Sequence, residues 1–289
     1  MTAVVTRADV AFYEEQGYLV VPDVLSEAEL EVIRGELDQL VEQACEVTEN
    51  DDVFDLEDNH TPAAPKIRRI KSPDAVMPSV AALLGHRGML DVLAQLLGSG
   101  VRFQVSKLNM KAAHDGSAVE WHQDWAFRPH TNDDLLTVGV MLDDVDETNG
   151  PLCVLPGSHR GEIHDHHANG YFSGAIDPVK NPIDFSAAVP LVGTAGSMTF
   201  HHVRAVHGSA PNRSVRQRNL LLFQFAANDA FPLVHPIGDL ASFDRMIVAG
   251  EPTIEPRVTE VPVRMPLPSA PLEGSIYEIQ RSMANRFFD

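Results

Sequence analysis

His122 and Asp124, two residues apart, form a pair that can grip one metal ion. Alternate residues of an extended strand face the same side, so the imidazole and carboxylate of a His-x-Asp triplet project together. Completed by one more histidine, the pair is the ligand set of a non-haem Fe(II) site with open coordination positions. Alone the triplet is weak evidence: with 13 His and 41 Asp+Glu in 289 residues, a His-x-Asp/Glu match arises by chance about two times. The run from Gly196 to Arg218 supplies candidates for a third ligand, His201, His202 and His207, and for a cation that could hold an anionic co-substrate, Arg213, Arg216 and Arg218. Arg218 falls 11 positions past His207 (218 − 207), beyond the turn at Pro211-Asn212 and on the next predicted strand. A guanidinium forks onto a carboxylate through two hydrogen bonds and stays charged throughout the usable pH range.

For these groups to meet, strands 85 positions apart (207 − 122) must lie side by side. After Gly100 the chain reads as short strands at 101–111, 118–123, 135–142, 152–155, 188–192, 196–201 and 216–226, punctuated by Asn149-Gly150-Pro151, Pro156-Gly157-Ser158 and Ala210-Pro-Asn-Arg213. Many short strands with no helices between them imply antiparallel sheets. The first 100 residues read as helical: Thr6 with Asp9 and Ser26 with Glu29 have capping-box spacing, Gly17 suits a left-handed stop, and Leu30, Ile33, Leu37, Leu40 and Val41 repeat with helical period over 27–45. Helical pieces follow at 80–84 and 89–97, and Tyr18–Pro22 is a short strand. The acidic, breaker-rich stretch 47–66 reads as an exposed loop. The interval 157–187, with His159, His164, His166 and His167, reads as a surface excursion whose histidine cluster is solvated. The last 14 residues suit either a final helix or a terminal arm. The expectation is one domain, 1–289: a helical layer (1–100), a jelly-roll core (101–230) interrupted by the 157–187 loop, and a C-terminal extension (231–289).

Composition excludes several classes. Against 41 Asp+Glu stand 22 Lys+Arg, a net charge of −19 that repels phosphate backbones and anionic membranes, so no nucleic-acid or membrane partner is expected. Two cysteines, Cys45 and Cys153, make neither a disulfide framework nor a thiolate zinc site. With no signal-like start and no apolar run of about 18 residues, a cytoplasmic location is expected. Phosphate loops, nucleophile elbows and His-Glu-x-x-His helices are missing.

Taken together, His122-x-Asp124, then Asn149-Gly150-Pro-Leu-Cys-Val-Leu-Pro156-Gly-Ser-His159, then His207-Gly-Ser209 with Arg218 beyond, resemble the phytanoyl-CoA dioxygenase family of Fe(II)/2-oxoglutarate oxygenases, over residues from about 10 to about 230. The resemblance implies a double-stranded β-helix (jelly roll, cupin-like) with helices packed outside the barrel. It implies iron ligation by His122, Asp124 and His207 rather than His201 or His202, and a 2-oxoglutarate carboxylate held by Arg218 rather than Arg216, with help from Ser209; Thr137 and Gln104 are further co-substrate candidates. The implied activity couples decarboxylation of 2-oxoglutarate to succinate, using O2, to hydroxylation of an aliphatic C–H in a small metabolite or natural-product intermediate. Related halogenases replace the ligand acid with a small residue to admit chloride, so an intact Asp124 favours oxygen transfer. One departure is visible: the tryptophan that phytanoyl-CoA hydroxylases carry on the strand after the metal pair is replaced by Gly139 or a neighbour, which counts against an acyl-CoA substrate. Substrate contacts are expected from Trp125, Phe127, Arg128 and His130 on the loop after the metal pair, and from Lys107, Lys111 and Arg204. The competing readings are a catalytically silent jelly-roll binding protein and a cupin-type enzyme using another divalent metal.

Overall fold

The computed structural model describes residues 5–114, 116–270 and 274–288; residues 1–4 of the N-terminal stretch read above and Asp289 lie outside them. The chain runs α1 (Arg7–Gln16), β1 (Tyr18–Val21), α2 (Glu27–Gln43), β2 (Phe54–Leu56), β3 (Ile67–Lys71), α3 (Pro73–Val76), α4 (Pro78–Leu83), α5 (Arg87–Leu97) and β4 (Val101–Lys111). It continues through β5 (Val119–His122), β6 (Leu135–Met141), β7 (Cys153–Val154), β8 (His167–Ala168), β9 (Tyr171–Phe172), β10 (Val189–Pro190), β11 (Met198–His202), β12 (His207–Ser209) and β13 (Arg218–Ala227), and ends with α6 (Leu240–Asp244), β14 (Ile247–Ala249) and α7 (Ile276–Gln280).

Local chemistry starts the two N-terminal helices. Thr6 and Asp9, and likewise Ser26 and Glu29, satisfy each other's free amides in reciprocal capping boxes, and Gly17 closes α1 at φ 79°, where a side chain would be strained. The helices bury Leu30, Ile33, Leu37, Val92 and Leu93 against the outer face of a large antiparallel sheet, which contributes Leu108, Met110, Val138, Val140, Phe200 and Phe223. That sheet has the order β1-β11-β6-β13-β4-β3-β2, with β14 also on β4; a smaller sheet, β10-β7-β12-β5, faces it to form the jelly roll. The fold class is therefore as expected.

Three readings are corrected. The stretch 47–66 is not simply exposed, because β2 inside it pairs with β3 and buries Phe54, Asp55 and Leu56. Together β2 and β3 extend the large sheet past β4, so the N-terminal part is not purely helical. The interval 157–187 carries the β8–β9 hairpin and buries Ile163, Phe172 and Ile176, so it packs as well as covers. Strand β12, between the predicted strands, is too short for periodicity to reveal. Among the described residues no helix is long and apolar enough to cross a membrane.

The helix-on-sheet core predicts that Ile33→Ala, at a fully buried position, lowers unfolding free energy by about 2–5 kcal/mol in urea titrations followed by circular dichroism. The neighbouring Val32→Ala, on the exposed face, should stay within about 0.5 kcal/mol.

Candidate metal and co-substrate site

Strand register creates the site. In the smaller sheet β12 runs antiparallel to β5 with His207 directly opposite His122, and the two rings stand 4.1 Å apart between centroids. Asp124 lies just past the end of β5, at the start of a 3-10 turn, so it is not on the strand itself; the extended Gln123 between them keeps both ligands on one side. Ligand atoms of His122, Asp124 and His207 all lie within 4.8 Å of one another, and all three residues are buried. The Nδ1 of His122 lies 2.8 Å from the Glu120 carbonyl and the Nδ1 of His207 2.9 Å from that of Ala205. Donating there fixes the tautomer and leaves each Nε2 lone pair for a metal.

The protonation states suit the same purpose. Burial pushes the His122 pKa down to about 4 and that of His207 well below its usual value. Burial alone would raise Asp124, but the basic groups around it, His201, His207, Lys107 and His122, outweigh it and hold the acid well below the usual carboxylate range. At neutral pH the triad is therefore two neutral imidazoles and one carboxylate, the forms that bind metal.

Behind the triad a narrow cavity of about 30 Å³ runs to Arg218 and Ser209, with His201 and Lys107 on its walls. Arg218 is buried; one Nη donates to the Gly150 carbonyl at 2.6 Å, while Nε and the other Nη have no partner among the described residues. Gly150 adopts φ 74°, and a Cβ on it would meet the Ala210 carbonyl at 2.7 Å, so glycine is required beside the arginine. Burial moves the guanidinium pKa down to about 10, still charged at neutral pH. Two orphaned, charged N–H groups in the wall of a buried cavity are matched by a carboxylate, and leaving them unpaired would be costly. The residues present therefore fit both groups: a His/Asp/His set for iron and a buried arginine with open N–H donors for a carboxylate of 2-oxoglutarate. Lys111, opposite Arg218 on β4, donates instead to the carbonyls of Ser209 and Ala210.

The other sequence candidates divide. Thr137 donates its hydroxyl to Asp124 Oδ2 at 2.7 Å, fixing the carboxylate's orientation. Gln104 is not brought to the triad: it is the unpaired bulge residue of β4, between Val105 and Phe103 in the β13 register, and lines a separate cavity with Arg128 and His130. Trp125 is fully buried in an apolar cluster and donates to the Pro262 carbonyl, so it is a packing residue. Arg204 is spent on Asp133 and the Gly161 carbonyl. Arg216 precedes β13 and pairs with Asp146, so it does not share the face of Arg218. Phe127, Arg128 and Lys107 do line a larger cavity of about 410 Å³ that opens beside Asp124 and Thr137. His201 lies 3.7 Å from Asp124 Oδ2, against the site. One histidine reading is corrected. His166 is buried, not solvated, and its Nε2 accepts the Gln123 amide at 2.9 Å. A Cβ on Gly139 would stand 2.6 Å from the Thr199 hydroxyl and 3.4 Å from Leu220 and Leu222, which leaves no room for an indole there.

Residues 13–220 match the phytanoyl-CoA dioxygenase (PhyH) family. The chain belongs to that family. A probable alpha-ketoglutarate-dependent hypophosphite dioxygenase from Stutzerimonas stutzeri is 34% identical over 280 residues, 96% of this chain and 97% of the relative. The L-proline trans-4-hydroxylase of Streptomyces griseoviridis is 29% identical over 246 residues, 78% of this chain and 87% of the relative. Among solved structures, EctD from S. alaskensis with bound Fe superposes with a TM-score of 0.67 at 23% identity, covering 91% of this chain and 89% of that one. This member of the PhyH family is a 2-oxoglutarate-dependent non-haem iron dioxygenase.

The Thr137–Asp124 hydrogen bond carries a test. Thr137→Val keeps the shape and removes the donor, and should weaken ferrous binding about 10–100-fold in anaerobic metal titrations.

Proposed function

We propose that His122, Asp124 and His207 hold the ferrous ion, that Arg218 with Ser209 holds the distal carboxylate of 2-oxoglutarate, and that the enzyme hydroxylates a C–H bond of a small molecule. The observation that supports this most directly is the pair of unsatisfied Arg218 N–H groups, which share a cavity with all three ligands. Neither competing reading accounts for that arginine: a silent barrel has no use for a complete ligand set, and a hydrolytic metal site has no use for a buried carboxylate fork.

Overall, substrate R–H, O2 and 2-oxoglutarate yield R–OH, succinate and CO2. Bound iron and 2-oxoglutarate supply the oxygen activation. What the chain contributes is positioning. Arg218 orients the co-substrate, the Glu120 and Ala205 carbonyls fix the imidazole tautomers, and Thr137 steadies the carboxylate. The large cavity, which Asp124 lines, gives the substrate direct access to the metal-bearing face. Hypophosphite, the substrate in the name of the Stutzerimonas relative, has a skeleton of three heavy atoms. About 410 Å³ is far more room than such an ion needs and lies in the range of organic-ligand pockets, which favours an organic substrate with a C–H to offer. Both cysteines are free, in keeping with a reducing, cytoplasmic setting.

Purified protein should form succinate only with both ferrous iron and 2-oxoglutarate present. His122→Ala should abolish stoichiometric iron binding. Arg218→Gln should keep iron binding but raise the 2-oxoglutarate Kd about 100-fold, as expected for loss of charged hydrogen bonds. Wild-type protein that binds neither ligand would overturn the reading.

A further inference from the structure

On a chain of net charge −19, four cations converge on one cavity: Arg69 and Lys71 from β3, Lys107 from β4 and Arg128 from the loop after β5. Lys107 and Lys71 sit directly opposite one another in the β3–β4 register. Like charges directly opposite destabilise a sheet, so the pairing needs a compensating anion. Asp55 supplies one negative charge, to Arg69 at 2.6 Å and Lys71 at 3.1 Å. The side chains of Lys107 and Arg128 have no hydrogen-bond or ion-pair partner among the described residues. Nor does the metal site supply what is missing. Iron, Asp124 and a 2-oxoglutarate dianion together leave one further negative charge and Asp74, hydrogen-bonded to the cavity-lining Ser106, adds another, so with Arg218 counted a surplus of about two positive charges remains.

We propose that the substrate bears a dianionic tetrahedral oxoanion head, of the phosphonate or phosphate-monoester class, held by Lys107, Arg128 and Lys71, and a short apolar body. The body would lie against Phe127, Leu222, Ile276 and Ile279, the apolar walls of the same cavity. A carboxylate head would bring half the charge needed, and the hypophosphite monoanion would use neither the second charge nor the apolar walls. Arginine and lysine divide such a head between them: the fork of Arg128 fits two oxygens, while the lysines act as point charges. The inference rests on the iron and co-substrate assignment above, because that assignment makes this cavity the substrate's.

The test is anaerobic calorimetry on protein loaded with ferrous iron and 2-oxoglutarate at about pH 8.5, where the phosphate monoester is fully, and the alkylphosphonate, a weaker acid, mostly the dianion. Ethylphosphonate and ethyl phosphate are compared with the monoanions ethanesulfonate, propionate and hypophosphite. At least one of the two dianions should bind about tenfold or more tighter than every monoanion, and the tighter of the pair names the head group. Lys107→Met and Arg128→Gln should each weaken that dianion about tenfold or more, and Lys107→Arg should restore much of the loss. Thermal melting confirms that each variant is folded, and 2-oxoglutarate binding is titrated on each separately. Absence of any dianion preference, or full affinity in both variants, overturns the proposal. So does a Lys107→Met protein that loses 2-oxoglutarate along with the dianion, since Lys107 would then serve the co-substrate. In each of these cases intact iron and 2-oxoglutarate binding by the wild type leaves the enzyme assignment standing.

Discussion

The pairing of His207 with His122 across β12 and β5 is the constraint on which the rest of the molecule depends. It joins two short strands that would be marginal by themselves, since β12 has three residues and β5 four. Their support comes from outside the ladder. The Glu120 carboxylate accepts the amides of Phe287 and Phe288, and Gln280 accepts the Glu120 amide, so the C-terminal arm clamps β5 from the far side. Trp121 stacks between Phe185 and Phe288, binding the same strand to the long loop. Gln123 ties it to Glu162, His164 and Arg204. The extension and the loop insertion thus hold the strand that carries His122 in register.

Opposite this small sheet, the large one is apolar on its outer face, where the helices pack, and on its inner face sets Lys107, Asn109, Thr137 and Arg218 beside Leu220 and Leu222. The bulge at Gln104 makes that division possible on β4. Strand parity would otherwise send Val101 and Phe103 to the same side as Lys107, Asn109 and Lys111. One extra residue switches the phase, so the first pair joins the core under the helices while the later residues face the cavities.

The inner face departs from the usual rule that buried charges are paired. Arg218 is buried with Nε and one Nη unpartnered, and the half-buried Lys107 beside it has no side-chain partner among the described residues. Such local conflicts collect at functional sites, where a ligand completes the interactions that the protein leaves open. Here the two conflicts fall in adjoining cavities that share Asp124 and Thr137.

Much of this was legible in the residues alone. The capping boxes, the amphipathic α2 and strands β4, β6, β11 and β13 follow from chemistry that acts within a few positions, and the His122-x-Asp124, His207 and Arg218 spacing carried the metal reading because family motifs preserve spacing. What the tertiary structure decided is whatever depends on which distant strands pair. Acidic composition hid β2, and β3 belongs to the site only because it lies against β4, which turns Arg69 and Lys71 into cavity walls. Trp125 and Arg204 are close to the ligands in sequence yet turn away, into an apolar cluster and onto Asp133, while His201 turns inward. Sequence proximity sets where a backbone passes; the direction of each side chain, and the charge that gathers in a cavity, are set by long-range pairing and burial that no local pattern records.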